Sequence, residues 1–313
     1  MSALKTAVVG VGYLGRIHAQ KYLDLADVEL VGVSDKRAEE GRAFAESCGV
    51  EFFDDPRDLL GRIDAVTIAT STPAHFELAK LFLDNGIHAF VEKPLTTTSA
   101  AGRELTALAE RAGLKLQVGH VERFNSALLS ARDKLGTVRF IECHRLAPFQ
   151  TRGTDVNVVL DLMIHDLDVI LSLIEGKPVT VSAVGIPVLT DNIDIANARI
   201  EFDTGAVANV TASRVSMTAQ RKFRVFQRNQ YLSIDFGKGD VQLVTHAPGS
   251  ADAPGDLDEQ TWNLEKGDAL LAEVAAFVSA VCNDEPCLVG GEDGVAALEL
   301  AERILEDIER REF

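Results

Sequence analysis

The strongest indication of the fold in the first part of the chain is the hexapeptide Gly10-Val11-Gly12-Tyr13-Leu14-Gly15. It directly follows the apolar run Thr6–Val9 and opens the amphipathic stretch Leu14–Leu25, which predicts a buried strand, a glycine turn and a helix in succession. In such a unit the glycines allow the backbone to approach a pyrophosphate group at the N-terminus of the helix. The spacing therefore predicts a dinucleotide-binding turn whose contact residues are Gly10, Gly12, Tyr13, Leu14 and Gly15.

An acidic residue stands where such a turn needs one. Asp35 lies 20 positions after Gly15, at the end of the next strand-like run. A carboxylate in this position accepts hydrogen bonds from the ribose hydroxyls of NAD and repels the 2′-phosphate of NADP. The sequence therefore favours NAD as the cofactor. Lys36 and Arg37 follow directly and could soften this preference, and Arg37 is itself a candidate cofactor-binding residue.

Short apolar runs alternate with amphipathic stretches through the first part of the chain. The apolar runs are bounded by Gly, Asp, Ser or Pro, which is typical of buried parallel strands. The predicted strands are Thr6–Val9, Glu29–Val33, Ala65–Ala69, Ala89–Val91 and Lys115–Val118, and the predicted helices are Leu14–Leu25, Arg37–Cys48, Ala74–Asn85 and Ser99–Ala112. This alternation predicts an α/β domain over residues 1–120 with a doubly wound parallel sheet, the Rossmann arrangement.

The pattern changes after Gly119, and residues 121–313 predict a second, α+β domain. Strand-like runs separated by turn signals indicate a mostly antiparallel sheet. The predicted strands are Val179–Val188, Ile193–Phe202, Ala206–Arg214, Arg221–Gln227, Tyr231–Phe236 and Asp240–Val244. The predicted helices are Arg123–Leu135, Val158–Ile174, Asp268–Cys282 and Gly294–Arg311, and Pro248–Asp258 is predicted to be an exposed loop.

Charge and composition limit the partners and the compartment. The formal net charge is −17, which disfavours binding to nucleic acid and to anionic membrane surfaces, because both depend on Lys and Arg. No apolar run reaches the ~20 residues of a membrane span. The four cysteines, Cys48, Cys143, Cys282 and Cys287, form no C-x-x-C pair. We therefore expect a cytoplasmic protein with reduced thiols.

Two further motifs carry a family resemblance. Glu92-Lys93-Pro94 directly follows the strand-like run Ala89–Val91, and Asp161-Leu162-Met163-Ile164-His165 lies on a predicted helix. Together with the glycine turn and Thr70-Ser71-Thr72-Pro73-Ala74-His75, these motifs resemble the Gfo/Idh/MocA family of sugar and inositol oxidoreductases. The resemblance covers essentially the whole chain. It implies a Rossmann domain followed by an open-faced sheet domain, whose sheet commonly forms the oligomer interface, and hence a homodimer or homotetramer.

The resemblance implies that Lys93 is the active-site lysine, that His165 is the acid/base, and that Asp161 matches an active-site position. The residue types suit the chemistry, because a histidine with a pKa of about 6.5 can take a hydroxyl proton while the hydride passes to a nicotinamide ring. On a helix Asp161 and His165 share a face, so the carboxylate can orient the imidazole or hold a substrate hydroxyl. We predict that His165 is the base and Lys93 polarises the reacting oxygen, although the reverse assignment is open.

Several other residues are candidates by position. Predicted cofactor contacts outside the glycine turn are Thr70, Pro73, His75, Glu92, Lys93 and Arg123, and predicted substrate contacts are Lys93, Arg123, Asn125, Arg145, Arg152, Asp161 and His165. Arg145 and Arg152 are candidates for a diphosphate, because guanidinium forks suit phosphate oxygens, and a surface salt bridge is the alternative for each. His75 could instead be a helix N-terminal residue with no ligand. No metal site is predicted, because Asp161 and His165 lack an identifiable third ligand.

A finer resemblance suggests the substrate. The stretches Gly119–Asn125, Arg145–Phe149 and Arg152–Val156 are similar to those of bacterial family members that oxidise UDP-N-acetylglucosamine to its 3-keto form. The implied substrate is therefore a nucleotide sugar. Two alternatives stay open: a dehydrogenase of a free polyol or monosaccharide such as inositol, and a non-catalytic NAD-dependent sugar sensor.

Overall fold

The chain forms two compact units. The computed structural model describes residues 3–150, 156–246, 257–264 and 267–311. One unit comprises residues 1–121 and 268–296, and the other comprises residues 122–267 and 297–313. Residues 268–296, assigned above to the second domain, thus belong to the first unit. The reason is that Val274 and Phe277 pack into the same hydrophobic core as Val8 and Val33.

Within the described residues, the first unit contains a six-stranded sheet in which every paired strand runs parallel to its neighbour. The strands are β1 (Leu4–Val9), β2 (Val28–Ser34), β3 (Glu51–Phe53), β4 (Ala65–Ile68), β5 (His88–Glu92) and β6 (Leu116–Gly119). Their order is β3-β2-β1-β4-β5-β6, so the direction of winding reverses between β1 and β4. Ligands bind at such a switch point, outside the carboxyl ends of the strands. The predicted doubly wound sheet is confirmed. Strand β3 was not predicted, because its three residues are too few to show a pattern.

Four helices follow strands of this sheet. They are α1 (Tyr13–Leu23), α2 (Ala38–Cys48), α3 (His75–Asp84) and α4 (Ser99–Ala112). Helices α2 and α4 both end at glycines in the left-handed conformation, Gly49 and Gly113, with φ of 69° and 65°. A left-handed glycine lets the last carbonyls of a helix find amide partners, so these two helix ends follow from the sequence.

Within the described residues, the second unit is built on an eight-stranded sheet of order β14-β13-β12-β11-β7-β10-β9-β8. The strands are β7 (Phe140–Leu146), β8 (Pro178–Ile186), β9 (Ile195–Phe202), β10 (Val207–Ser213), β11 (Gln220–Gln227), β12 (Gln230–Asp235), β13 (Asp240–His246) and β14 (Leu257–Asn263). The pairing of β7 with β10 is parallel, and the other described pairs are antiparallel. The predicted mostly antiparallel sheet is confirmed.

Two of these strands were not predicted. In β7 the buried positions alternate with half-buried ones, but one of the buried residues is Arg145, so the run does not read as an apolar alternation. Strand β14 is almost entirely exposed and shows no alternation. The predicted loop Pro248–Asp258 lies largely outside the described residues, and its last two positions begin β14.

The part of the chain that the structure describes contains four further α-helices: α5 (Ser126–Arg132), α6 (Ile164–Leu173), α7 (Ala269–Cys282) and α8 (Gly291–Glu309). In the second unit Leu128 of α5, Leu167 of α6 and Ile304 of α8 share a core with Ile141 and Val210 of the sheet. The predicted helix Val158–Ile174 is formed as a π-helical turn, Val159–Met163, that continues into α6. Across the described helices, none combines the length and the apolar character that a membrane crossing requires.

Candidate active site

The glycine turn is built so that only one of its three glycines faces open space. Gly10 has a φ of 89°, and a Cβ there would lie 2.7 Å from the Ala69 carbonyl oxygen. A Cβ on Gly15 would lie 1.7 Å from the carbonyl oxygen of Gly10. At Gly12, by contrast, the nearest atom among the described residues is Arg37 Nη2, at 3.9 Å. Two glycines therefore close the turn, and the third leaves a cradle that a side chain would fill.

The cradle opens onto the N-terminus of α1. Gly12 is the N-cap residue, so no side chain accepts a hydrogen bond from the first amides of α1 at this position. Among the described residues, the first turn of α1 contains no acidic side chain. The first amide groups of a helix have no partner within the helix and carry partial positive charge. The turn can therefore hold an anionic group, and a pyrophosphate fits this donor set.

Asp35 is held in place beside the turn by backbone amides. Its Oδ2 accepts a hydrogen bond from the Val11 N–H at 2.8 Å, and its Oδ1 accepts one from the Arg37 N–H at 2.8 Å. Burial alone raises the pKa of Asp35, but these amides and the Arg37 guanidinium outweigh it and lower the pKa below its ordinary value. The residue is therefore an anion with lone pairs left for ribose hydroxyls, which fits NAD and disfavours a 2′-phosphate.

A cavity of about 640 Å³ adjoins these groups. It is lined from the turn by Gly10 and Gly12, from the end of β2 by Asp35 and Arg37, and from the end of β4 by Thr70. Its position matches the switch point of the sheet, and its volume is in the range of small-molecule sites. The structure thus brings the predicted cofactor residues Gly10, Gly12, Asp35, Arg37 and Thr70 to one cavity. Tyr13 and Leu14 begin α1 beside it.

His75 lies next to this cavity but is buried. Its Nδ1 is 2.9 Å from the Pro94 carbonyl oxygen and its Nε2 is 3.2 Å from the Thr70 carbonyl oxygen. Burial lowers the pKa of His75 below its ordinary value, although both carbonyls oppose the shift. The imidazole ties the turn that contains Pro73 to the cis Lys93–Pro94 peptide. This arrangement favours the alternative interpretation, in which His75 is structural.

Glu92 is also occupied by the protein itself. Its Oε1 lies 2.7 Å from His18 Nε2, and its Oε2 accepts the Lys93 N–H at 3.2 Å. Burial raises the pKa of Glu92, but His18 and Lys93 outweigh it and lower the pKa below its usual range. A Cβ on Gly119 would lie 2.9 Å from Oε2. Glu92 therefore fixes the backbone at Lys93. Sequence reasoning missed its partner His18, because the two residues are 74 positions apart.

In the second unit the two other predicted catalytic residues lie on consecutive helical turns. Asp161 is in the π-helical turn Val159–Met163, and His165 is in the first turn of α6. Both side chains are partly exposed, whereas Met163 and Ile164 between them are buried. The spacing therefore places the carboxylate and the imidazole at one accessible stretch of helix, as the sequence predicts. Turns of π-helix of this kind often occur at functional sites.

The structure gives two predicted substrate residues structural partners instead. The guanidinium of Arg145 donates from Nε and Nη2 to Asp166 at 2.9 and 2.8 Å, and from Nη1 to Glu122 at 2.9 Å. Asn125 caps α5, because its Oδ1 accepts the Ala127 N–H at 3.1 Å, and its Nδ2 donates to Glu122. Arg145 is 4% exposed. Arg145 therefore forms a buried ion pair, unlike the surface salt bridge given as the alternative, and this favours a structural role over a contact with a diphosphate.

Arg123, predicted for cofactor and substrate, is buried as well. Its Nη1 lies 3.2 Å from Asp168 Oδ1, and both side chains are almost fully enclosed. Its burial and this ion pair favour a role within the second unit. Arg152, the other diphosphate candidate, lies outside the described residues.

Comparisons with known proteins agree with this geometry. Residues 4–120 match the model described as an oxidoreductase family with an NAD-binding Rossmann fold, and residues 128–233 match the Gfo/Idh/MocA C-terminal domain. The UDP-N-acetylglucosamine 3-dehydrogenase of Acidithiobacillus ferrooxidans is 37% identical over 99% of this chain and 98% of its own. A solved structure of that enzyme matches with a TM-score of 0.93 at 35% identity, covering 99% of both chains.

A more distant relative is the inositol 2-dehydrogenase of Rhizobium meliloti, which is 26% identical over 99% of this chain and 98% of its own. The family models cover the first sheet and most of the second, and a relative matched over its full length exceeds one third identity. The cradle at Gly12 and the carboxylate of Asp35 fit the cofactor that the first model names. The chain therefore belongs to the Gfo/Idh/MocA family of oxidoreductases and is an NAD-dependent dehydrogenase that acts on a CH–OH group.

Proposed function

We propose that this enzyme oxidises the 3-hydroxyl of UDP-N-acetylglucosamine to a ketone. The observation that carries the proposal is the similarity to an enzyme of that activity, at 37% identity over 99% of this chain and 98% of the relative, with a TM-score of 0.93 in structure. The inositol dehydrogenase covers the same length at 26% identity, so the nucleotide sugar is favoured over a free polyol.

The residues divide the reaction between them as follows. His165 takes the hydroxyl proton, because a histidine imidazole can act as a general base in the oxidation of an alcohol. Asp161, one helical turn earlier, orients the imidazole or holds a neighbouring hydroxyl. The Lys93 ammonium donates a hydrogen bond to the reacting oxygen, and Glu92 and His18 hold the backbone at Lys93. NAD, when bound, supplies the acceptor for the hydride.

Arg152 remains the candidate for the diphosphate of the substrate. The competing candidate, Arg145, has its guanidinium committed to two carboxylates. For Arg152→Ala we expect a rise in KM for UDP-N-acetylglucosamine and an unchanged affinity for NAD. If the natural substrate were a free sugar, the same substitution would leave KM nearly unchanged.

The test is to incubate the pure enzyme with NAD and UDP-N-acetylglucosamine and to follow NADH by absorbance. The ketone product is identified by mass spectrometry, which also detects turnover when the cofactor stays bound. The variants His165→Ala and Lys93→Met should each lower kcat by about 10²- to 10⁴-fold, because each removes a proton-transfer or hydrogen-bonding group. The His165→Ala variant should retain NAD.

Three outcomes would contradict the proposal. Oxidation of inositol or a monosaccharide, with no nucleotide-sugar oxidation, would establish the free-polyol alternative. NAD binding with no oxidation of either class would refute the substrate assignment. A biological role that survives both His165→Ala and Lys93→Met would establish a non-catalytic sensor.

The proposal extends to assembly and location. On the sheet face opposite the core, Phe140, Phe226 and Tyr231 form a row with ring centroids 5.4 and 5.0 Å apart. Val184 and Ile186 of the edge strand β8 are exposed by 40% and 49%. Apolar groups of this kind support a homodimer or homotetramer formed through the sheet, which light scattering after size exclusion tests.

The state of the cysteines bears on the location of the protein. The four cysteines lie within the described residues and are free thiols, which supports a cytoplasmic location.

A further inference from the structure

Two buried ion pairs flank His165 on its own helix. Asp166, the next residue along α6, receives two hydrogen bonds from Arg145 of β7. Asp168 receives one from Arg123 at 3.2 Å. Side-chain exposure is 5% for Arg145 and 4% for Asp166, and it is 7% for Arg123 and 2% for Asp168. The helix that carries the proposed base is thus held by charges that water does not screen.

The two ion pairs contact α6 on opposite sides of His165. One residue along an α-helix turns the side chain by about 100°, so Asp166 lies on one side of His165. Three residues turn it by about 300°, which places Asp168 about 60° away on the other side. Because each aspartate pairs with a different arginine, a rotation of α6 about its axis would move both carboxylates away from their partners.

Both arginines connect α6 to the segment that precedes α5. Arg123 belongs to that segment, and Arg145 also donates to Glu122 at 2.9 Å. Glu122 in turn accepts from Asn125 at 3.1 Å and lies 3.8 Å from the guanidinium of Arg221. Burial disfavours the charge on Arg145, but Asp166 and Glu122 outweigh it and raise the pKa of the guanidinium. Burial also raises the pKa of Asp166 above its ordinary value, although Arg145 opposes that shift. The network is built around the Arg145 guanidinium, and it links β7, α6 and residues 122–125 within the second unit.

A charged network is an expensive way to obtain stability. Two buried ions lose their hydration, and well-packed apolar side chains of similar volume often stabilise a fold as well or better. A buried ion pair fixes the relative orientation of the two elements that it joins, because the planar guanidinium of an arginine binds a carboxylate in a defined geometry. A fixed orientation is needed here, since the π-helical turn Val159–Met163 directly precedes α6. A shift of that turn by one residue would rotate His165 by about 100°.

We propose that Arg145 and Arg123 are positioning residues that set the rotation of α6 and thereby the orientation of the His165 imidazole. This inference rests on the proposed role of His165 as the base. It assigns a function to two arginines for which the sequence suggested ligand contacts, and it requires no contact between either arginine and the substrate.

The test replaces Arg145 by lysine, which keeps the positive charge and removes the two-pronged contact with Asp166. The matched control is Arg224→Lys, because Arg224 is partly exposed and pairs at 2.8 Å with Glu142, which lies on β7 three positions before Arg145. For each variant we would measure kcat and KM for UDP-N-acetylglucosamine, the Kd for NAD, and the ring resonances of His165 by NMR. The His165→Ala variant assigns those resonances.

For Arg145→Lys we expect kcat to fall about 10- to 100-fold, because a misplacement of about 1 Å has an effect of this size. KM and the Kd for NAD should change less than about 3-fold. The His165 resonances should move in Arg145→Lys and stay in place in Arg224→Lys. If Arg145→Lys does not fold, Asp168→Asn carries the same test, because it weakens the Arg123 pair without changing the volume of the side chain.

Other results would overturn the inference. A folded Arg145→Lys variant with unchanged kcat and unchanged His165 resonances would show that the network is only structural. A raised KM with unchanged kcat would show that Arg145 contacts the substrate. If the wild-type protein oxidises no sugar but the His165 resonances still move in Arg145→Lys alone, the positioning role holds and the proposed function fails. If neither activity nor movement is found, both fail.

Discussion

Substitution of Gly12 by alanine should separate cofactor binding from folding. The added Cβ would meet no described protein atom closer than 3.9 Å, so the protein itself has room for it. The backbone at Gly12, with φ of −66° and ψ of −161°, is extended and open to any residue. The methyl group would instead occupy the cradle at the N-terminus of α1, where the pyrophosphate of NAD is expected.

The two effects have different sizes. Alanine is a poorer N-cap than glycine by up to about 1 kcal/mol, and the loss of a glycine from the unfolded chain offsets about 0.4–1 kcal/mol of this. The free energy of unfolding should therefore change by less than about 1 kcal/mol. Forcing a methyl group against a bound ligand costs about 1–3 kcal/mol, which corresponds to an NAD affinity about 5- to 150-fold weaker.

The assay is calorimetric titration of NAD together with thermal unfolding of the ligand-free protein. Two other glycines serve as controls. Gly15→Ala would place a Cβ 1.7 Å from the Gly10 carbonyl oxygen, so we expect a loss of stability above about 4 kcal/mol. Gly49→Ala meets no neighbouring atom among the described residues but has a φ of 69°, so it should lower stability by about 1 kcal/mol and leave NAD affinity unchanged.

A folded Gly12→Ala protein that binds NAD as tightly as the wild type would refute this reasoning. The pyrophosphate could not then lie against Gly12. A Gly12→Ala protein that loses as much stability as Gly15→Ala would be equally damaging, because the space seen at Gly12 would then not exist.

Two further predictions concern carboxylates. Asp35→Asn should raise the preference for NADP relative to NAD by about 10- to 100-fold, because it removes the charge that repels a 2′-phosphate and an acceptor for the ribose; unchanged Kd values for both cofactors would contradict this. Asp194 accepts the amides of Val188, Leu189 and Thr190, and although burial opposes them, they lower its pKa from 3.8 to about 2. Because the folded-state pKa is depressed, its contribution of ~2 kcal/mol is present above pH 4 and is lost as the pH falls toward 2. The difference in thermal stability between wild type and Asp194→Asn should therefore shrink from pH 6 to pH 2.5, and a constant difference would count against the assignment.

Local patterns in the chain were sufficient for most of the first unit, but not for β3 or for the membership of residues 268–296. The spacing of Gly10, Gly12 and Gly15 predicts both the turn and its ligand. Only Gly15 is required by a contact within the turn, with the Gly10 carbonyl, whereas the atoms that crowd Gly10 belong to Ala69 and Thr70. Asp35 could be found by counting, since a strand end has a definite distance from the turn. The helices followed from their amphipathic period, and the predicted strands followed from short apolar runs bounded by turn residues.

Tertiary structure decided what the arginines and the buried carboxylates do. An arginine in an alternating strand can face the core or the solvent, and the sequence around Arg145 does not distinguish the two. Its partners Asp166 and Glu122 lie 21 and 23 positions away, and the contact of His18 with Glu92 spans 74 positions. Burial of a charge depends on whether the fold brings an opposite charge to it, and that depends on the packing of whole elements. Sequence alone is therefore sufficient to recognise the motifs Glu92-Lys93-Pro94 and Asp161 to His165. The side chains that hold these motifs in place can be identified only from the folded structure.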